Sequence, residues 1–429
     1  LCFVAFLRRR YVWSVAAFAL SLLAKEETVA LPAFLLLYDY VLVARQDAGW
    51  VAGRRWYYAA LLACAGLAAA RLFYVLHSLP DPGVGFRVRG VSPTVYALSQ
   101  PRVIWRYVRL VVLPVGQNLD YDLRPSASLL NPPGTLIAIL ALAGLLVTLA
   151  VLLRREARSA SPAPGFETGQ PWAAPAFWAL GFFLLLAPSS SIIAQSDLIF
   201  EHRTYLPLIS LVVALAWALH RGLQRVAAPG IRVGAVGLLL GTCAVGTMAR
   251  NQVWATELSL WSDVVRKSPN KGRPYIGLAR GLAEAHRGQE ARRALERGVE
   301  LDPANHELHT NLGVLLLEEG NASKALEHFR RALQLDRQTP EAWNNIGAAL
   351  YQLQDREEAI ATFRRALALS PCFYNSRRNL MMALSEAGRK NEALEAGKLP
   401  AGCVVLPDQA RDLEEYRRQI AQSAAGSRQ

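Results

Sequence analysis

Pro269, Pro303, Arg337 and Pro371 stand 34 residues apart, and the residues around them recur in the same register. A fixed period of this length means stacked copies of one small unit, none of which buries its apolar face alone. Before Arg250 the chain is of another kind. Long apolar runs such as residues 134–153 (GTLIAILALAGLLVTLAVLL) alternate there with short basic loops. The first part is suited to hydrocarbon and the second to water, so the fold must join a polytopic membrane body to a helical array.

With 52% hydrophobic residues in 429, the chain is too apolar for an ordinary soluble protein, and the excess lies in the first 250 positions. The net charge of +13 does not point to nucleic acid. Its basic residues sit in short clusters between apolar runs, where they set membrane orientation. Of the five cysteines, Cys64 and Cys243 fall inside apolar runs and read as small packing residues. Cys372 and Cys403 are available to pair, and the spacing alone leaves the redox compartment open. The sequence begins at Leu1, inside an apolar run (LCFVAFL), and reads as the tail of a longer span.

A bilayer core takes about 20 apolar residues per helix. The candidates are a partial span at 1–7, then 11–24, 28–44, 56–76, 134–153, 172–194, 204–220 and 231–249, about eight in all. Alternating the loops gathers Arg8 to Arg10, Arg45, Arg54, Arg55, Arg154, Arg155, Arg158, Arg221, Arg225 and Arg232 on one side. The positive-inside rule makes that side cytoplasmic. Lys25-Glu26-Glu27, the 77–133 loop, residues 195–203 and everything after 250 then lie on the other side. The expected location is a bacterial inner membrane with the repeats extracytoplasmic.

Within the 77–133 loop, residues 102–115 (RVIWRYVRLVVLPV) place Arg102, Arg106 and Arg109 at helical spacing among apolar residues. The pattern fits a helix lying in the membrane interface with its arginines toward headgroups. Two readings stand side by side: plain anchoring, or arginines facing a lipid-linked phosphate.

The period aligns as tetratricopeptide repeats at 272–305, 306–339 and 340–373, preceded by a half repeat at 251–271 and followed by a partial one at 374–400. Small residues Ala279, Gly313 and Gly347 mark the helix crossing. Ala291, Ala325, Ala359 and Ala393 open the second helices, and Leu295, Phe329 and Phe363 fill the bulky position. Trp343 takes the aromatic position, where the other repeats hold Tyr275, His309 and Arg377. Residues 251–270 read as a second helix with Trp261 at the bulky position, joined to the last span without a flexible linker. Residues 401–429 read as a C-terminal helix with a disordered tail from 423. Asn311, Asn345 and Asn379 keep register on the first helices, where carboxamides can bond the backbone of an extended peptide. Asparagine is also a common structural choice there. The expected fold is all-α: a polytopic transmembrane helical bundle, residues 1–250, followed by a tetratricopeptide-repeat α-solenoid.

No phosphate-binding loop, nucleophile elbow or zinc pattern occurs. Polar clusters fall instead on the predicted extracytoplasmic side: Lys25-Glu26-Glu27, Asn118 to Asp122, Ser189 to Ser191, and Asp197 with Glu201 to Tyr205. Ionisable residues at span ends are costly unless paired or working. Three stretches, AKEETVALPAFLLLYDY at 24–40, LPVGQNLDYD at 113–122 and SSSIIAQSDLIFEHRTYLPL at 189–208, resemble bacterial relatives of the transmembrane and tetratricopeptide-repeat O-mannosyltransferases. Those belong to the GT-C class of integral-membrane glycosyltransferases.

That resemblance implies transfer of a sugar from a polyprenyl-phosphate donor to an extracytoplasmic acceptor, most simply a polypeptide bound by the repeats. Such a reaction needs a carboxylate base, for which Glu26, Glu27, Asp120, Asp122 and Glu201 are candidates. It also needs cations or donors for the departing phosphate: Lys25, Arg102, Arg106, His202, Arg203 and Tyr205. Asn311, Asn345 and Asn379 are the candidate peptide contacts. No cofactor is implied beyond the lipid-linked sugar, a divalent cation is compatible with the reaction, and no protein metal ligands are assigned. In this class the principal catalytic Asp sits in the first extracytoplasmic loop, a region expected upstream of Leu1, so enzymatic activity of this chain stays open. Two alternatives remain: a non-catalytic membrane-anchored scaffold for envelope proteins, and an envelope-polysaccharide ligase or polymerase.

Overall fold

The computed structural model describes residues 1–24, 26–43, 48–78, 91–159, 173–190, 195, 197–226, 228–336 and 339–426. Among them the regular structure is helical throughout, with no strand. The chain divides into two compact units, Leu1–Met248 and Ala249–Gln429.

The first unit opens with α1 (Cys2–Leu7) and α2 (Tyr11–Ala24). A 3-10 turn at Glu26–Ala30 leads into α3 (Leu31–Tyr38), which ends in a π turn, Asp39–Val43. Then follow α4 (Ala48–Ala52), α5 (Arg55–Ser78), α6 (Pro93–Val112), α7 (Thr135–Ser159) and α8 (Ala173–Leu186). A 3-10 turn at Glu201–Thr204 opens α9 (Tyr205–Gln224), and α10 (Pro229–Val253) closes the series. Among the described residues four segments are long and apolar enough to cross a membrane: Arg55–Val75, Thr135–Arg155, Glu201–Gln224 and Pro229–Val253.

Tyr11–Ala24, Thr28–Val43 and Pro175–Leu186 are shorter apolar helices. The sequence had suggested full spans there. The 28–44 stretch is interrupted because Pro32 starts a fresh helix at its N-terminal turn, where its missing N–H costs nothing. In the 172–194 stretch the helix stops at Leu186, two residues before Pro188, which disfavours helical geometry in the residue preceding it.

An aromatic core ties these short helices together. Phe34 and Tyr38 of α3 pack against Phe177 of α8, and Phe3 lies edge-on to Tyr38 at 5.1 Å. Gly181 makes the approach of α8 to α3 possible, since a Cβ there would lie 2.6 Å from the Phe34 ring. Below this core, the Ser14 hydroxyl bonds the Tyr57 hydroxyl (2.8 Å) and the Cys2 carbonyl (2.9 Å). The Asp39 carboxylate is fully buried, ion-paired with Arg54 and hydrogen-bonded by Tyr58 at 2.8 Å. Breaking such a pair strands a buried charge, at a cost of about 3–5 kcal/mol. Arg54 also lies over the Tyr11 ring, so the basic turn after α1 and the one before α5 share one end of the bundle. By contrast α10 buries none of its residues, the pattern of a helix facing hydrocarbon.

The second unit is a run of antiparallel helix pairs. It comprises α11 (Glu257–Lys267), α12 (Pro274–Glu284), α13 (Gly288–Leu301), α14 (His306–Glu318), α15 (Ala322–Leu335), α16 (Pro340–Gln352), α17 (Arg356–Leu369), α18 (Tyr374–Glu386), α19 (Lys390–Ala396) and α20 (Pro407–Gly426). Within a repeat, Phe329 and Phe363 are buried against Gly313 and Gly347, where an added Cβ would sit 2.5 and 2.6 Å from the ring. Trp261 is the bulky residue of α11, and its indole covers Gly277 of α12. Asp263 on α11 is buried and bonded by Arg250 at 2.8 Å, Arg266 and Lys267. Burial alone would raise its carboxyl, but those three hydrogen bonds hold it below the usual range.

The aromatic register carries a shared hydrogen bond. Tyr275 donates to the Pro269 carbonyl (3.0 Å), His309 Nε2 to that of Pro303 (3.2 Å), and Arg377 to that of Pro371. Three unlike side chains thus pin these first helices to the turn just before each of them. Cys372 and Cys403 form a disulfide with Cα atoms 5.3 Å apart. It ties the loop before α18 to the loop before α20, whose Leu413 and Ile420 complete the core. The expectation of disorder from 423 is not met as far as Gly426, where α20 continues through the alanine-rich SAAG.

Candidate functional site

The 113–122 and 189–208 stretches converge in the first unit. Helix α6 is capped by Ser92 and starts on Pro93. It buries Tyr96, Gln100, Val103 and Tyr107 against Leu198, Ile199, Phe182 and Leu186. Three buried polar side chains on α6 then hold the 189–205 segment. The Tyr96 hydroxyl donates to the Ser189 carbonyl at 2.6 Å, and Gln100 Nε2 donates to that of Leu198 at 3.4 Å. The Tyr107 hydroxyl bonds both the carbonyl (2.9 Å) and the N–H (3.0 Å) of Phe200.

This scaffold positions Arg203, whose exposure is 1%. One guanidinium nitrogen donates to the Tyr96 hydroxyl (3.1 Å) and the Leu198 carbonyl (3.3 Å), the other to the Asp197 carbonyl (2.9 Å). The cation also lies over the Phe200 ring at 4.9 Å. Among the described residues all its partners are neutral groups. A buried guanidinium held only by dipoles keeps a strong demand for an anion.

Glu201 stands two residues away and faces the 113–122 loop. It accepts from the Asn118 N–H at 2.8 Å and from the Tyr121 hydroxyl. Burial, then the hydrogen bond and charge of Glu201, push the Tyr121 hydroxyl well above its ordinary value, so it remains a donor. Arg106 stacks over the other side of the Tyr121 ring, 4.7 Å from its centroid. Gln100 Oε1, Ser190 Oγ and Arg106 Nε are buried without a hydrogen-bond partner among the described residues. Arg106, Tyr121 and Glu201 thus form one contiguous cluster, with the buried Arg203 two residues along the chain from Glu201.

The sequence candidates separate accordingly. Glu201, Arg203 and Arg106 come together, and Asp120 is buried beside them with its carbonyl bonded by Asn118 Nδ2 at 2.9 Å. Arg102 turns into the protein and bonds the Arg124 carbonyl (2.9 Å) and Ser126 (3.3 Å). Helix α6 packs on protein along its apolar side, and the loop through Arg124 folds over its basic one. His202 is exposed and stacks on Phe200, and Asp122 and Tyr205 are exposed. Lys25 lies outside the described residues. Glu26 and Glu27 open a 3-10 turn, and their side chains lie outside the description. Among the described residues no group of three metal-ligating side chains converges.

Tyr96, Gln100, Tyr107 and Tyr121 are absent from the sequence candidates. Tyr96 and Tyr107 are 11 residues apart on one helical face, a spacing indistinguishable from core packing before the partner segment is known.

In the second unit the first helices of successive repeats lie side by side and present one open stripe each. On α14 it is Glu307, Asn311, Val314 and Glu318, at helical spacing. The same register carries Asn345 on α16 and Asn379 on α18. Asn311 Nδ2 bonds the Glu307 carbonyl of its own helix at 2.7 Å. Asn345 accepts from Asn344, while Asn379 Nδ2 (3.2 Å) and Ser376 (3.0 Å) donate to the Asn344 carboxamide. Asn344, which sequence reasoning passed over, is the buried hub of the row.

The family model described as TPR repeat matches residues 315–354, and that described as Tetratricopeptide repeat matches residues 340–371. The C-terminal region therefore carries tetratricopeptide repeats. Among solved structures the chain is similar to a crystal structure of MamA, at 18% identity over 38% of this chain and 89% of that one, TM-score 0.31. It is also similar to YrrB, described as a TPR protein with an unusual peptide-binding site, at 20% identity over 32% and 71%, TM-score 0.29. A third is the first TPR of Spaghetti (RPAP3) bound to an HSP90 peptide, at 24% identity over 28% and 94%, TM-score 0.27. No curated protein matches the chain.

Proposed function

We propose that this is an integral-membrane protein whose repeats capture a polypeptide outside the cytoplasm. The observation that carries it is the in-register open stripe on stacked first helices of tetratricopeptide repeats, a surface suited to an extended chain. The four spanning-length helices supply the anchor. The extracytoplasmic side is supported by the basic loops of the membrane half and by the Cys372–Cys403 disulfide, a bond that persists in oxidising compartments.

A finer reading of the membrane unit is glycosyl transfer from a polyprenyl-phosphate sugar to the captured polypeptide. The buried Arg203, held by neutral groups alone, favours it. In that reading Arg203 and Arg106 attract the donor phosphate, Glu201 orients or deprotonates the acceptor hydroxyl, and Tyr121 fixes the Glu201 carboxylate.

One reconstitution tests both levels. Full-length protein in vesicles, with a photo-crosslinker at Asn345, is given a polyprenyl-phosphate sugar and candidate envelope polypeptides. Capture at Asn345 supports the first reading, and its absence removes it. Sugar transfer that falls about a hundredfold in Arg203→Ala and Glu201→Gln supports the second. Transfer unchanged in both variants rejects that assignment.

A further inference from the structure

The carboxylates of the second unit fall into two populations. On the second helices most are matched by arginines: Glu290 by Arg287, Glu296 by Arg292, Glu300 by Arg297, and Glu392 by both Arg364 and Arg389, with Glu327 on α15 the exception. The first helices differ. Glu307 and Glu318 on α14 and Glu341 on α16 are exposed, with no cation within ion-pair distance among the described residues. Glu386 on α18 is likewise exposed and accepts only a hydrogen bond from Tyr351. Arg378, the cation nearest this face on α18, is already taken by Asp412 at 3.1 Å. In a chain of net charge +13, the part of this face on α14, α16 and α18 is left acidic, while Arg280 of α12, in the Val314 register, pairs with Glu257.

The placement of these groups is ordered. Glu307 and Glu341 share one register position at the start of their helices, and Glu318 and Glu386 share another at the end. The row Asn311, Asn345 and Asn379 runs between them. Val314 and Met382 add apolar surface beside it. An extended chain laid along the row meets carboxamides at its backbone. Its successive side chains point alternately to the two edges, and each edge carries carboxylates.

We propose that this face takes an extended polypeptide segment rich in lysine and arginine, supplied by another protein. The inference rests on the polypeptide-capture reading above and names the chemistry of the partner. Charge complementarity argues for it: unmatched carboxylates on both edges repel an acidic chain and gain a basic one, an effect that added salt screens.

The test uses the full chain in nanodiscs of zwitterionic lipid and three fluorescent peptides of equal length, in which alternate residues are Lys, Glu or Ser. Anisotropy at low salt reads binding. The Lys peptide is expected to bind about tenfold tighter than the Glu peptide. That advantage should vanish in the quadruple variant E307Q/E318Q/E341Q/E386Q, while binding of the Ser peptide stays as in the wild type. Charge reversal by Glu318→Lys with Glu341→Lys brings the same four positions to net zero and should likewise abolish the Lys preference. Equal binding of all three by the wild type, or a Lys preference that survives the quadruple variant, overturns the basic-partner assignment and leaves polypeptide capture standing. Binding of none of the three overturns both.

Discussion

Arg377 occupies a position that holds an aromatic in other repeats, yet it is 6% exposed and both terminal guanidinium nitrogens are bonded. It bonds the carbonyls of Ala396 and Lys398 as well as that of Pro371. The equivalent His309 meets His328, their Nδ1 atoms 3.0 Å apart. Because His309 gives its Nε2–H to Pro303, the neutral ring accepts at Nδ1, and His328 supplies the proton. Burial, then the neighbouring His309, lowers His328 below its ordinary 6.5, against the opposing pull of Glu327 and Glu296. The unfolded chain therefore takes up a proton before the folded one as pH falls through 6.5. Stability of the repeats should be full above that pH and decline below it. Thermal unfolding at about pH 8 and about pH 5 should show this decline, with a shallower slope in His328→Gln. The repeat register named all four aromatic-position residues in advance, but not that three of them make one common bond. A tyrosine, a histidine and an arginine share no sequence signature, only reach.

At the scale of elements, α19 is seven residues long where its counterparts α13, α15 and α17 each have 14. The missing turns are replaced by the 397–406 loop, the disulfide and α20. The bridge closes a loop of sequence separation 31. Limiting the unfolded chain in this way is worth about 3 kcal/mol. In Cys403→Ser the unfolding transition of the repeats should drop by several degrees, with the membrane unit unaffected; an unchanged transition would mean that α20 holds without the bridge. Helix periodicity made the repeat helices legible almost to their ends. It served less well for 11–44 and 172–194, because mean apolarity does not register where a charge cluster or a proline ends a helix. The Glu201–Arg203 cluster was half legible. Glu201 and Arg203 stand out as ionisable residues at a span end. Their tyrosine supports on α6 do not, since they look like core.

For the whole molecule, the topology expected from the basic loops puts residues 195–203 and everything after 250 opposite those loops. In a chain whose free cysteines Cys2, Cys64 and Cys243 are replaced by alanine, a cysteine at Gln422 should react with an impermeant maleimide added to intact cells. One at Arg225 should react only after permeabilisation. The reverse labelling would invert the topology and remove the extracytoplasmic reading. The shortened α19 bears on the history of such a chain as well. Everything beyond Arg377 is fitted to finish the stack, so a duplicated repeat spliced after it would find its docking surface occupied by α20. Lengthening by whole repeats has room only upstream, between units that still end in a full second helix. The reach of the array toward a partner is therefore adjustable from within, while its tip stays the same.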